Sequence, residues 1–472
     1  MPATIIQKYY ESAQFYGDSL DISYKKKNGI FYTDLTLASL IISELEINPE
    51  SIVLDPCCGV GSFLVAAAQK GAHLLYGIDI DPNAINECTD FLENATIVEA
   101  DSIYQPAEST LLRLGLTGKV DFIIGNPPYA QLNNSPVINL DDVYFMENNI
   151  NFNKNLFVAA LLRSLELVKS SGIIAYIIPK NFLHVDSYRS ARQILLMNKT
   201  ILSIIDIGAY FKDVRGEQIV IIIKNESSYD NYISFKELNS YKFNQTVFIK
   251  QDFFKDEILL FKSDREFDIY KKMISSYKTI GNMCHGYVGR GRSRKDNAIT
   301  GKEIRKFGFK NTPTPQIGNK IFIQNIYSSE SGIIAAFGGD LEATQTVTVF
   351  TDGDEKMCRY ILAFLHSRLC NYFLYRFCYN SSHLTMHTDA KYLKKIPFTI
   401  KDKKSFEQIL ATVSEIEMIE YMSIEWYDLM EVLNEQIYDI FNFSKEESDF
   451  IDNEMMRVHS KRWQPNEHRQ AM

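Results

Sequence analysis

Short apolar runs recur through the first half of the chain, at Ser51–Leu54, Leu74–Ile78, Thr96–Glu99, Val120–Ile124, Ile173–Ile178, Ile201–Ile207 and Gln218–Ile223. The longer ones are continuous rather than alternating, the pattern of strands covered on both faces of a mostly parallel sheet. Between the runs lie stretches with helical patterning: Ser62–Lys70, Asn83–Asn94 and Leu156–Lys169, the last with apolar residues at three-and-four spacing. The alternation predicts an α/β domain, seven strands in one sheet with helices on both faces. After Lys224 the regularity fails. The polar, turn-prone stretch Asn225–Asn231 marks the expected boundary, with residues 1–235 as one domain and 236–472 as a second, mixed α+β and aromatic-rich. Within the second domain, Glu415–Asp452 reads as amphipathic helices with a solvated face.

Composition narrows the class. The chain has 472 residues, 46% hydrophobic and 23% charged, which suits two or three globular domains with cores of their own. Met1–Thr4 lacks a secretory pattern, and the apolar stretch Ile361–Phe377 is broken by His366, Arg368, Asn371 and Arg376, so no membrane role is expected. Seven irregularly placed cysteines form no disulfide framework and fit a reducing, cytoplasmic setting. Cys370 and Cys378 lie near His383 and His387, but the cysteine spacing does not suit zinc, and no metal is expected. Phe364, Tyr372, Phe373, Tyr375, Phe377 and Tyr379 read as core. A net charge of −9 excludes a generally basic coat while leaving room for a local basic face.

The first chemical signal is Leu54–Phe63, Leu-Asp-Pro-Cys-Cys-Gly-Val-Gly-Ser-Phe, where a strand enters a Gly-x-Gly turn and then a helix. A dinucleotide fingerprint needs a third glycine where Leu64 stands, so pyrophosphate binding is disfavoured. Asp55 at the strand end suits instead a ligand with a positive charge or an amino group. The next strand ends in Asp79, placed to accept hydrogen bonds from two ribose hydroxyls, and Asp101 follows the third, facing an adenine edge. An aspartate ending a strand is commonly a helix cap; three in register along one sheet edge point to a ligand. The fourth strand runs into Gly125-Asn126-Pro127-Pro128-Tyr129-Ala130, where two prolines make a rigid loop that presents carbonyl acceptors.

This set resembles the S-adenosylmethionine-dependent, adenine-specific DNA methyltransferases of the gamma class, in which the cofactor motif precedes the catalytic Asn-Pro-Pro-Tyr motif and a specificity domain comes last, as in the Taq-type enzymes. Further matches are Gly29–Thr33 before the first strand, Asn155-Leu156-Phe157, Ile177–Phe182 and Tyr210–Asp213. The resemblance implies a seven-stranded methyltransferase (Rossmann-like) sheet with one antiparallel strand, S-adenosylmethionine as cofactor, and methyl transfer to the 6-amino group of a flipped adenine. Cofactor contacts are implied at Tyr32, Thr33, Asp55, Pro56, Cys58, Gly59, Gly61, Phe63, Asp79, Ile80, Asp101, Ser102 and Asn126, with Thr33 capping a helix. Asn126 and the Pro127 carbonyl would accept the amine's hydrogen bonds, Pro128 would keep them rigid, and Tyr129 and Phe211 would stack on the base. The adjacent cysteines Cys57 and Cys58 depart from the small or polar residue many relatives carry.

Double-stranded DNA is the implied partner, met by Asn155 and Lys180 in the first domain and by a basic run in the second. Arg290, Arg292, Arg294, Lys295, Lys302, Arg305, Lys306 and Lys310 stand there against Asp296 and Glu303. Arg290, Arg292 or Arg294 is expected to read base edges, and Lys302, Lys306 and Lys310 to anchor the DNA backbone. A modification role in a restriction-modification system follows from the resemblance, and a partner endonuclease acting on the same site remains open. Two alternatives stay in view: a methyltransferase of RNA or of a protein glutamine, and a catalytically dead specificity protein.

Overall fold

The computed structural model describes residues 3–21, 23, 31–92, 94–131, 155–211, 216–275, 278–288, 298–351, 354–381 and 386–461. Its contacts divide the chain into two units, Met1–Asp264 and Arg265–Met472.

The first unit is built on a sheet of nine strands: β1 (Ile52–Asp55), β2 (Leu74–Asp79), β3 (Thr96–Glu99), β4 (Val120–Gly125), β5 (Val168–Pro179), β6 (Thr200–Gly208), β7 (Gln218–Lys224), β8 (Tyr232–Asn239) and β9 (Lys242–Lys250). Their order is β3-β2-β1-β4-β5-β7-β6-β8-β9. β1 to β5 are parallel, and β7 lies antiparallel between β5 and β6. This is the expected seven-stranded sheet, extended by two strands. β8 joins β6 in parallel and β9 closes the edge antiparallel to β8. The boundary expected at residue 235 therefore falls inside a strand. Both added strands are half-covered and alternate in burial, so neither carries the continuous apolar run that marks β5 or β7.

Helices α1 (Ala3–Ser19), α2 (Leu35–Ser43), α3 (Ser62–Gln69), α4 (Pro82–Thr89), α5 (Ala107–Arg113), α6 (Leu156–Leu167) and α7 (Arg189–Asn198) surround the sheet. α2 and α3 pack together, and Leu37, Ile41, Phe63 and Leu64 join Val53, Phe122, Ile177 and Val220 in one core. The cap of α2 is Asp34, whose side chain accepts the Leu37 amide at 3.0 Å, rather than Thr33. Either residue can cap; the one nearer the helix does so here, and the Thr33 hydroxyl is used elsewhere.

The second unit holds a four-stranded antiparallel sheet, ordered His285–Val288, Val347–Thr351, Lys320–Gln324, Ala335–Phe337, with the helix Glu355–His366 packed on it. Lys403–Met418, Ile424–Ile440 and Lys445–Lys461 are the helices read from the acidic stretch. The six aromatic residues from Phe364 to Tyr379 singled out above are all buried, as core. Arg376 is buried with them, its guanidinium donating to Glu266 at 2.7 Å. Among the described residues no helix is long and apolar enough to cross a membrane.

Candidate active site

The strand order reverses between β1 and β4, which opens a crevice at the carboxyl ends of these neighbours, where ligands of open α/β sheets bind. Asp55 ends β1, Asp79 ends β2 and Asn126 follows β4. Gly125, the residue before Asn126, passes close to Asp55: a Cβ there would lie 2.7 Å from Asp55 Oδ1. The requirement for glycine is doubled by a φ of +149°.

The loop after β1 wraps around the second carboxylate. Gly59 N–H donates to Asp79 Oδ2 at 2.7 Å and Asp81 N–H to Asp79 Oδ1 at 2.9 Å. Cys57 N–H donates to Asp55 Oδ1 at 3.1 Å, and the Ser102 hydroxyl to the Pro56 carbonyl. At Gly59 the φ is +51° and an added Cβ would sit 2.7 Å from the Tyr32 ring, so Tyr32 lies directly over the turn. Cys58 is buried, and its amide donates to the Ile78 carbonyl at 2.9 Å, which fastens the turn to β2.

Asp55 is 1% exposed, and burial pushes its carboxyl up to about 8, with Asp79 adding to the rise against the Cys57 hydrogen bond. Burial also raises Asp79, opposed by the amides of Asp81 and Gly59. Neither carboxylate is paired with a basic side chain among the described residues. Two desolvated acids without a cation beside them form a site that gains from a positively charged ligand. S-adenosylmethionine, with its ammonium, its sulfonium and its ribose diol, fits this donor and acceptor set. Asp101 is partly committed: its Oδ1 accepts the amides of Ile103 and Tyr104, both at 3.0 Å.

The Asn126 amide is held at both ends. Its Nδ2 donates to the Phe31 carbonyl at 3.0 Å and to Thr33 Oγ1 at 3.3 Å, while its Oδ1 accepts from the Tyr129 hydroxyl at 2.7 Å. The Tyr129 ring lies 6.0 Å from that of Phe31 and 6.2 Å from that of Phe157, the second edge-on. Leu156 N–H donates to the Ala130 carbonyl at 2.9 Å and sets the start of α6 beside the loop. The segment before β1, the Asn-Pro-Pro-Tyr loop and the start of α6 thus meet around Asn126 and Tyr129. Phe211 packs with Tyr210 against the core cluster, and the Tyr210 hydroxyl donates to Asp34 Oδ2 at 2.7 Å.

Helix α1 contributes residues that sequence reasoning passed over. Tyr9 donates to the Val60 carbonyl at 3.1 Å, Tyr16 to Asp81 at 2.6 Å, and Ser12 to Glu87. Spacings of three and four put all three on one helical face, a signal legible in sequence but not tied there to the glycine turn.

Two expected DNA contacts look different in the structure. Lys180 is 4% exposed, with Nζ 2.7 Å from Asp206 and 3.1 Å from Glu217; it is a buried ion-pair centre, not a surface cation. Asn155 accepts the Phe157 amide at 3.2 Å and caps α6. Of the basic run, Arg290, Arg292, Arg294 and Lys295 lie outside the described residues. Lys302 and Lys310 are exposed, and Arg305 lies 5.1 Å over the Tyr421 ring. Burial pushes the Lys306 ammonium down to about 8. Among the described residues none of these four cations is paired with a carboxylate.

Residues 77–211 match the family model of the Eco57I restriction-modification methylase. The match runs from β2 through the Asn-Pro-Pro-Tyr loop to Phe211 and takes in every element that holds Asn126 except the 31–33 segment. Among curated relatives, the chain is 29% identical to the type II methyltransferase M.VspI of Vibrio sp. (strain 343) over 224 residues, 47% of this chain and 53% of that one. It is 27% identical to the modification methylase CviBIII of Paramecium bursaria Chlorella virus NC1A over 254 residues, 50% of this chain and 62% of that one. The chain thus spans between half and two thirds of the length of these relatives. Among solved structures, the type IIL restriction-modification enzyme MmeI in complex with DNA aligns over 96% of this chain and 82% of its own, with a TM-score of 0.58 at 12% identity. That likeness shows the fold, a methylase-type sheet followed by a further unit.

Proposed function

We propose that this protein transfers the methyl group of S-adenosylmethionine to the 6-amino group of adenine in duplex DNA, as the modification activity of a restriction-modification system. The observation that carries the reading is the Asn126 amide, clamped through Nδ2 on a rigid proline loop at the same strand-end crevice as two acids that have no basic partner among the described residues. The amine of adenine is a poor nucleophile because its lone pair is delocalised into the ring. Acceptors at Asn126 Oδ1 and the Pro127 carbonyl draw on its two N–H bonds and favour the tetrahedral nitrogen, as preorganised dipoles aimed at developing positive charge. When bound, the cofactor supplies an electrophilic methyl on a sulfonium. Asp55 would hold its ammonium end, and Asp79 would accept its ribose hydroxyls. The base leaves the duplex at a cost of a few kcal/mol, offset by stacking on Tyr129 and Phe211. The names M.VspI and CviBIII, a type II methyltransferase and a modification methylase, support the DNA assignment.

Incubation with labelled S-adenosylmethionine and unmethylated DNA, RNA or protein tests the reading. Label in DNA, recovered as 6-methyladenine, is the expected result; label only in RNA or in glutamine, or in nothing, overturns it.

The proton on Asp55 makes cofactor binding pH-dependent. Its folded value of about 8 lies above the ordinary 3.8, so between these values the free protein holds a proton that the unfolded chain has released. Stability of the free protein therefore falls as pH rises through that window. A cationic ligand needs the ionised form, so affinity rises with pH, by at most about tenfold per unit, and levels off above about pH 8. Calorimetric titration of S-adenosylmethionine across this range checks the slope, and Asp55→Asn is expected to flatten it.

Lys302 and Lys310, exposed and without a carboxylate partner among the described residues, are assigned to the phosphate backbone. Lys302→Ala or Lys310→Ala is expected to weaken binding to all duplexes alike and to lower the salt slope, log Kd against log salt, by about one. An unchanged slope removes that lysine from the interface.

A further inference from the structure

The Tyr129 hydroxyl stands between two acceptors and has one proton to donate. Its oxygen is 2.7 Å from Asn126 Oδ1 and 3.3 Å from the Ile177 carbonyl oxygen. Burial holds the phenol well above its ordinary range, so the proton stays on it. The Asn126 amide cannot turn its oxygen away, because a flip would set Oδ1 against the Phe31 carbonyl that Nδ2 now engages at 3.0 Å. The ring cannot swing far either, held beside Phe31 and Phe157.

We propose that the Tyr129 hydroxyl is a placeholder for the substrate amine, capping Asn126 Oδ1 in the free protein and turning its O–H to the Ile177 carbonyl when an N–H of the target base arrives. The inference rests on the reading of a base amine as the methyl acceptor and assigns a second role to a residue whose ring stacks on that base. No covalent bond changes; one hydrogen bond is exchanged for another, and the buried Oδ1 is satisfied at every stage. Selectivity follows. A base edge with a donor can take the oxygen, whereas an edge that offers only a carbonyl or a C–H leaves the Tyr129 proton where it is.

Tyr129→Phe keeps the ring and removes the placeholder. The recognition site is first read by methylation-sensitive sequencing of plasmid DNA exposed to the protein. Two duplexes are then titrated by fluorescence anisotropy with S-adenosylhomocysteine present, one with adenine at the target and one with purine, which lacks the 6-amine. Against wild type, Tyr129→Phe is expected to bind the adenine duplex about two- to threefold tighter, the part of the 2.7 Å hydrogen bond to Asn126 that the longer 3.3 Å contact to the Ile177 carbonyl does not return, and the purine duplex equally well. Equal or weaker binding of the adenine duplex by the variant overturns the placeholder, given a wild type that methylates DNA. A wild type that transfers no methyl to DNA overturns the functional reading, and the placeholder with it.

Discussion

Asn126→Ala is expected to lower kcat for methyl transfer by about 10²–10³-fold while leaving S-adenosylmethionine affinity within about twofold. The separation follows from where the amide is tied. Its Nδ2 partners, the Phe31 carbonyl and Thr33 Oγ1, belong to the segment before β1, and its Oδ1 faces Tyr129, so truncation removes an acceptor without touching Asp55 or Asp79. The acceptor is most valuable when the amine nitrogen becomes tetrahedral and positive, so the loss appears in kcat rather than in ground-state binding. Single-turnover transfer of labelled methyl, with calorimetry of the cofactor, measures both. A variant that loses cofactor binding in step with activity would place Asn126 in the cofactor pocket instead.

The second large effect lies in stability. Lys180→Met is expected to cost about 3 kcal/mol, because it removes the buried ammonium that the half-buried Asp206 and Glu217 carboxylates share. Burial works against the ammonium, yet the two carboxylates raise its pKa on balance; Lys180 in turn lowers that of Asp206 against burial. A depressed carboxyl contributes stability that is fully present above its ordinary 3.8 and is lost as pH falls through the lower folded value, so the wild-type contribution weakens only in strong acid. The triple variant K180M/D206L/E217L is expected to regain most of the loss, since an apolar set of similar volume carries no desolvation cost. Urea midpoints and slopes for the three proteins decide it, and a single variant within about 1 kcal/mol of wild type would mean the three charges are hydrated.

Lys180 also shows where sequence reasoning stops. The resemblance set Lys180 against DNA, whereas the acids that bury it arrive from the end of β6 and from just before β7, separations that no local pattern reports. The strand-end residues were legible for the opposite reason. Asp55, Asp79 and Asn126 each follow an apolar run, and a parallel sheet aligns the ends of such runs without further information. β8 and β9 escaped because edge strands with one wet face alternate, and Tyr232–Asn239 mixes its apolar residues with Ser, Lys and Glu. At α2, Thr33 and Asp34 are both good caps in sequence; the amide of Asn126, far along the chain, claims the threonine hydroxyl.

The added strands bear on how such proteins are recombined. A chimera joined at residue 235 would cut through β8, remove β9 and leave the edge of β6 with its amides and carbonyls unpaired, a template for association with other chains. Joined between Asp264 and Arg265, the sheet stays whole, and the unit that follows becomes a cassette to be exchanged.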